Sequence, residues 1–162
     1  MLLPNEFSVG YVGDVTQLTL VLPVDAHDRA CLVTTAQGTP TLVVVDERDT
    51  FASFECENNT SWRGILVPNI AIELDENSTS AVAGWSPPLG MMVRREDGLF
   101  ISARFDGRLS RNALVPILTG LPRGAAQMAV GFKKWQIVIG EGQFRRTLIS
   151  LDTEQANKLS GE

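Results

Sequence analysis

Apolar and polar residues alternate in short runs along the whole chain. In Val15–Leu22 the apolar positions Leu18, Leu20 and Leu22 alternate with polar ones such as Thr19. Successive side chains of a strand point to opposite faces of its sheet, so this pattern predicts a strand with one face in water. Similar runs predict further strands at Cys31–Thr35, Thr41–Asp46, Phe51–Cys56, Trp62–Val67, Asn69–Leu74, Met91–Arg95, Leu99–Phe105, Gln127–Phe132, Trp135–Ile139 and Phe144–Leu151.

Turn residues join neighbouring runs into three predicted hairpins. Asp97-Gly98 separates two of the runs, and Asp-Gly favours a tight turn because glycine adopts positive φ at little cost. The loops at residues 36–40 and 140–143 also have hairpin length. Pro68 cannot donate to a strand ladder, so it predicts a bulge, a corner or an edge between the runs on either side.

Helical patterns are few and short. Asp152-Thr-Glu-Gln155 resembles a capping box and predicts a helix that continues to about Leu159. Ser110–Leu118 is predicted as a second short helix, which Pro116 interrupts. The segment Asn77–Gly90 is rich in serine, proline and glycine, and we expect it to be a long irregular loop.

These patterns predict a mainly β fold. With 162 residues the chain is long enough to bury a contiguous core, and we expect a single domain over residues 1–162. Many short strands with one or two short helices favour an antiparallel β-sandwich or a partly closed β-barrel, since both hide one face of each sheet. The alternative is an α+β fold with a helix packed on an open sheet.

Composition indicates a globular protein of a reduced compartment. Apolar residues make up 44% of the chain and charged residues 20%, which is far from the composition of disordered chains. No apolar stretch is long enough to cross a membrane, and the first residues show no signal peptide. The two cysteines, Cys31 and Cys56, lie in separate apolar runs, so we expect reduced thiols and a cytoplasmic location.

Charge is distributed unevenly along the chain. Residues 1–93 carry 3 basic and 12 acidic groups, whereas residues 94–162 carry 11 basic and 7 acidic groups. The interpretation that we favour is that both halves contribute strands to one sheet system, in which opposite charges neutralise each other. The alternative is a basic face that binds an anionic partner.

No established catalytic or metal-binding motif is present. His27, between Asp25 and Asp28, is the one histidine that could act as a general base, and we expect it to lie in a solvated connection. Acidic clusters at residues 46–49 and 73–76 could supply oxygen ligands or paired carboxylates, but neither has the spacing of a known metal loop. We therefore predict no metal, no cofactor and no catalytic residue.

The loop around Trp85 is the segment that folding explains least. It presents Trp85, Leu89, Met91 and Met92 between prolines and glycines. Large apolar side chains are rarely left exposed together on soluble monomers. This group is therefore either a lid folded onto the core or an interface with another molecule.

Two further groups are candidate binding residues. Lys133 and Lys134 lie between Phe132 and Trp135, a basic and aromatic pattern that is typical of proteins that stack single-stranded bases. Trp62 and Trp135, together with the tryptophan of the Trp85 loop, could line a pocket between two sheets.

Three functions are open on these observations. The first is a non-enzymatic interaction module that self-associates through a sheet edge or through the Trp85–Met92 loop. The second is a small-molecule binder, or a carboxylate-dependent enzyme, with a pocket between the sheets. The third is nucleic-acid binding through the hairpin at residues 132–146, which we hold as a minority hypothesis. A strongly perturbed carboxylate in a pocket would favour the second function, and a flat apolar patch the first.

Overall fold

Strands dominate the computed structural model, which describes residues 2–22, 29–36, 38–45, 51–55, 62–82, 87–105, 112–119 and 129–154. The strands of these ranges are β1 (Ser8–Tyr11), β2 (Thr19–Leu22), β3 (Cys31–Thr34), β4 (Thr41–Val44), β5 (Ala52–Glu55), β6 (Arg63–Val67), β7 (Ile70–Leu74), β8 (Thr79–Ala81), β9 (Met92–Arg95), β10 (Gly98–Phe105), β11 (Asn112–Thr119), β12 (Val130–Phe132), β13 (Lys134–Ile139) and β14 (Arg146–Asp152). Three short 3₁₀ helices lie between them, at Val12–Asp14, Glu76–Ser78 and Gly142–Phe144.

The larger sheet has eleven strands. Its order is β1-β6-β2-β3-β4-β5-β10-β9-β12-β8, and β11 pairs with the other side of β10. Every ladder of this sheet is antiparallel except the one between β5 and β10, where Ala52 is opposite Arg104 and Ser53 is opposite Phe105. The ladders of the described strands leave the sheet open and do not close it into a ring.

The smaller sheet has three strands, in the order β14-β13-β7. Its Trp135 and Ile137 belong to the same buried cluster as Leu20, Leu32 and Val43 of the larger sheet. The two sheets therefore share one apolar core, and the predicted mainly β, sandwich-like fold is confirmed. The alternative fold, with a helix packed on an open sheet, has no counterpart among the described elements.

The chain passes from one sheet to the other at Pro68. β6 ends at Val67 in the larger sheet and β7 begins at Ile70 in the smaller one, and Asn69 between them has φ of +51°. The predicted corner is therefore present. The predicted turn at Asp97-Gly98 is also confirmed, because β9 and β10 pair in antiparallel register with Arg95 opposite Gly98.

β2, β3 and β4 are covered on both faces. A second apolar cluster lies on the side opposite the main core, and it contains Val21, Val33 and Leu42. Thr19, on that side, is only 3% exposed, and its hydroxyl donates to the carbonyl oxygen of Gln17 at 2.9 Å. The prediction that the Thr19 face lies in water is therefore wrong, because a second layer of apolar residues covers it.

The predicted helix at Ser110–Leu118 is also wrong. β11 runs antiparallel to β10, and its ladder shifts register between Leu99 and Phe100, beside the Phe100–Pro116 pair. Pairing with β10 supplies hydrogen bonds that a short helix interrupted by proline could not match, and a proline is tolerated in a strand that has one neighbour.

Two other predicted segments have mixed outcomes. The supposed irregular loop at Asn77–Gly90 contains part of a 3₁₀ helix and all of β8, which pairs with β12. The C-terminal helix begins at Thr153, where Asp152 accepts from the amide of Glu154 at 3.1 Å, and its continuation to Leu159 lies outside the described residues. Within the described ranges, no helix has the length and apolar character needed to cross a membrane.

Candidate functional site

Strand β1 lies at one end of the larger sheet and exposes an apolar stripe. Among the described strands, β6 is its one partner. Phe7, Val9 and Tyr11 are 37%, 59% and 44% exposed. Because they are two positions apart in an extended segment, they lie on the same face of the sheet. An edge strand with exposed apolar side chains is the principal candidate for a binding surface on this chain.

The outward backbone groups of β1 belong to the same residues as the stripe. The amide of Val12 donates to the carbonyl oxygen of Trp62 at 2.9 Å, which makes these two residues a hydrogen-bonded pair. Hydrogen-bonded pairs alternate along an antiparallel ladder, so Ser8 and Gly10 also bond to β6. The N–H and C=O groups of Val9 and Tyr11 therefore point away from β6, towards the open side.

The exposed face of β1 lies on the same side of the larger sheet as the main apolar core. Val9 is opposite Ile65, which packs against the main core from β6. On the other face β1 lies close to its neighbour, since a Cβ added to Gly10 would be 2.9 Å from Cδ1 of Leu66. The guanidinium of Arg63 lies 5.6 Å from the ring centre of Tyr11 and forms a cation–π contact at the end of the stripe.

The segment before β1 is tied to the smaller sheet. Glu6 accepts from the amide of Leu3 at 2.7 Å and forms an ion pair with Arg146 at the start of β14. The hydrogen bond from Leu3, followed by those from Arg146, lowers the pKa of the Glu6 carboxyl below its ordinary value. These contacts hold the chain at the entry to β1.

A groove of about 600 Å³ is lined by residues in and next to the smaller sheet. Its lining residues are Glu73, Leu74, Asp75, Glu76, Lys134, Trp135, Gln136, Ser150, Leu151 and Asp152. Trp135, one of these residues, is 2% exposed, and its Nε1 donates to the carbonyl oxygen of Gly90 at 2.8 Å. Trp62 is 41% exposed and is not among the lining residues, so the structure does not bring the two predicted pocket residues together here.

Glu73 and Asp75 of the groove have structural partners. Glu73 accepts from Nε2 of Gln136 at 2.9 Å and pairs with Arg145. The Arg145 bond, and then the Gln136 bond, lower the pKa of Glu73. Asp75 accepts from the amide of Asn77 at 2.9 Å and caps a 3₁₀ helix. In the part of the chain that the structure describes, no group of acidic, histidine or cysteine residues could hold a metal ion.

The predicted basic patch is neutralised by neighbouring carboxylates. Lys133 pairs with Glu154 at 2.7 Å, and Lys134 pairs with Asp152 at 3.7 Å. The two arginines of the same hairpin also pair with glutamates, as described above. This surface therefore presents balanced charge rather than a concentration of positive charge.

The Trp85 loop is buried where the structure describes it. Leu89, Met91 and Met92 are 4%, 2% and 0% exposed. Trp85 itself lies outside the described residues, as do His27, Cys56 and the acidic cluster at residues 46–49. The side chains of Leu89, Met91 and Met92 thus offer no open surface in the single chain.

The stripe on β1 was missed by the sequence analysis. The sequence does contain the pattern of an uncharged strand, because Phe7, Val9 and Tyr11 alternate with Ser8 and Gly10. The alternation was not recognised as a strand, and the pattern alone does not say which strands end a sheet.

The family and the relative that the chain matches have names that state no activity. A family model described as Y4lG, Uncharacterised protein y4lG, matches residues 9–159. The chain is 35% identical over 161 residues to "Uncharacterized protein y4lG" of Sinorhizobium fredii (strain NBRC 101917 / NGR234), and the match covers 99% of each chain. No solved structure matches the chain.

Proposed function

Because the chain belongs to the family of the uncharacterised protein y4lG, whose name states no activity, we propose its function from its surface. It is a non-enzymatic interaction module that binds other polypeptides along β1. The observation that carries this proposal is the coincidence, at Val9 and Tyr11, of outward backbone groups with exposed apolar side chains. An extended segment of a partner can then add a strand to the sheet and cover the stripe in the same step.

The other sheet edges of the described chain are protected in ways that β1 is not. β11 contains Pro116, whose carbonyl oxygen accepts from the hydroxyl of Thr34 at 2.8 Å. β7 carries the paired Glu73, β14 begins at a paired arginine, and β8 is only three residues long. Prolines, charges and short length are the usual devices that prevent strands from pairing at an edge. β1 contains neither a proline nor a charged residue.

The pocket hypothesis has weaker support. A carboxylic acid that donates a proton near neutral pH needs a raised pKa, usually through burial. Arg145 and Gln136 lower the pKa of Glu73 instead, so this carboxylate remains ionised. A flat apolar stripe is present, whereas a perturbed catalytic acid is not found among the described groove residues. These observations favour an interaction module over an enzyme.

A reduced, cytoplasmic setting is part of the same proposal. Cys31 supports it, since its thiol is buried in β3 and donates to the carbonyl oxygen of Arg29 at 3.2 Å. A buried thiol of this kind packs as a small apolar group.

The proposal is tested with peptides and amide hydrogen exchange. We expect the chain to bind a subset of uncharged nine-residue peptides with apolar residues at alternate positions. At a concentration where the chain is monomeric, binding should slow exchange at the amides of Val9 and Tyr11, whereas Ser8 and Gly10 are already bonded to β6 and should change little. Failure to bind any such peptide, or protection elsewhere on the chain, would refute the proposal.

Two lysine variants provide the matched comparison. Val9→Lys places a charge within the stripe and should weaken peptide binding at least about tenfold, since a peptide that covers the stripe would remove this charge from water. Ser8→Lys adds the same charge one residue away on the opposite face, and its binding should stay close to wild type. Both residues are exposed, so circular dichroism should show both variants folded. Equal loss of binding in the two variants would contradict a role for the stripe.

A further inference from the structure

We infer that the strand added to β1 is β1 of a second copy of this chain, in antiparallel orientation about a two-fold axis at Val9. The inference rests on the proposed function and names the partner of the same edge. A two-fold contact uses the same surface patch on both copies. One strand can therefore form it if its exposed groups are complementary to those of an identical strand. β1 meets this condition, because its outward groups and its apolar side chains belong to the same residues.

Backbone geometry limits the registers that two β1 strands can adopt. A hydrogen-bonded pair needs outward N–H and C=O groups on both residues. On β1 these groups belong to alternate positions, including Val9 and Tyr11. Besides a register centred on Ser8, which would place Tyr11 opposite Asn5 in the turn before β1, antiparallel two-fold pairing can centre on Val9, on Gly10 or on Tyr11. Each centre places different residues opposite one another.

The register centred on Val9 is the best of the three. It places Phe7 opposite Tyr11 of the second copy, a cross-strand aromatic pair of the favourable kind, and it brings together no like charges. The register centred on Gly10 places Phe7 opposite Gly13 of the second copy, inside the 3₁₀ helix Val12–Asp14, so Phe7 and Tyr11 no longer form a pair across the joint.

The register centred on Tyr11 extends further into the same 3₁₀ helix. It would place Val9 opposite Gly13 of the second copy, and Val12–Asp14 is a 3₁₀ helix that cannot continue the ladder. Fewer hydrogen-bonded pairs could form than in the register centred on Val9. Pairing centred on Val9 therefore includes every residue of β1, and the 3₁₀ helix Val12–Asp14 of each copy lies outside the joint.

Self-pairing also explains why the stripe is apolar at its exposed centre. Val9, the most exposed residue of the stripe at 59%, would lie on the two-fold axis beside its own copy. Phe7 and Tyr11 of each copy would flank it on the same face. The joint would thus cover the apolar face that β1 leaves open in the single chain.

Sedimentation over a hundredfold dilution tests the partner. We expect wild type to change from dimer to monomer on dilution, and Val9→Lys to raise the dissociation constant about thirtyfold, as at an interface hot spot. Ser8→Lys should associate like wild type. A wild type that is monomeric at every concentration would overturn the inference, while continued peptide binding at β1 would leave the proposed function intact.

Disulfide formation tests the register. Cα atoms of a hydrogen-bonded antiparallel pair lie about 5.5 Å apart, which is within reach of a disulfide. Val9→Cys should therefore give a dimer linked between its two introduced thiols under mild oxidation, as located by mass spectrometry. Tyr11→Cys alone should link slowly, and a mixture of Phe7→Cys with Tyr11→Cys should give the mixed dimer. Faster linking of Tyr11→Cys alone than of Val9→Cys would overturn the register.

The Trp85 loop provides the competing surface. Trp85→Ala should leave the dissociation constant of the dimer unchanged if β1 forms the joint. If Trp85→Ala abolished association while Val9→Lys preserved it, the interface would lie at the loop and the inference would be wrong.

Discussion

Substitution of Gly90 by alanine should destabilise the chain by about 2–5 kcal/mol. Gly90 has φ of +80°, and an L-residue in the left-handed region costs about 1–2 kcal/mol. The added methyl would overlap Cε2 and Cζ of the Phe51 ring and lie 2.8 Å from its Cδ2. Phe51 is 1% exposed, and overpacking against a buried ring costs about 1–3 kcal/mol. The two contributions together set the expected range.

Gly38→Ala is the matched control. Gly38 has φ of +86°, but no heavy atom lies within 4 Å of an added Cβ, so its substitution measures the backbone contribution alone. Urea unfolding should show a loss of about 1–2 kcal/mol for Gly38→Ala and a larger loss for Gly90→Ala. Adding Phe51→Leu should reduce the extra cost at Gly90, because the smaller side chain frees space. Equal losses at the two glycines would refute the steric explanation.

Two further predictions concern the smaller sheet. Trp135→Phe should lower the free energy of unfolding by about 1–3 kcal/mol, because the buried carbonyl oxygen of Gly90 loses its donor; an unchanged urea midpoint would show that this bond contributes nothing. Glu73→Gln should lower the thermal midpoint at neutral pH, where the paired carboxylate favours the folded state. Because the folded pKa is lowered, this difference should disappear as the pH falls through that pKa, and a difference that persists in acid would contradict the ion-pair explanation.

Local chemistry accounts for the parts of the fold that the sequence predicted correctly. The Asp97-Gly98 turn and the Pro68 corner depend on the conformations that glycine and proline allow, and these are properties of a few adjacent residues. The charge asymmetry was also informative. Glu6 and Glu73 of the acidic part pair with Arg146 and Arg145 of the basic part, as expected if both parts contribute to one sheet system.

The errors concern features that depend on distant strands. Ser110–Leu118 has a local helix pattern, but the segment is a strand because β10 pairs with it. Thr19 is buried because a second apolar cluster covers a face that its own run indicated as polar. The exposed stripe on β1 depends on strand order, since only the position at the end of the sheet leaves Val9 uncovered.

The parallel ladder between β5 and β10 affects the order in which the sheet can assemble. The hairpin of β3 with β4, and that of β13 with β14, each close a loop of a few residues. By contrast, Ala52 and Arg104 are brought together from distant parts of the chain, and their ladder contains only two residue pairs. Closing so long a loop costs conformational entropy. This cost arises before the few hydrogen bonds of the ladder can offset it. We therefore expect the hairpins to form before the ladder, which must close before the larger sheet becomes continuous.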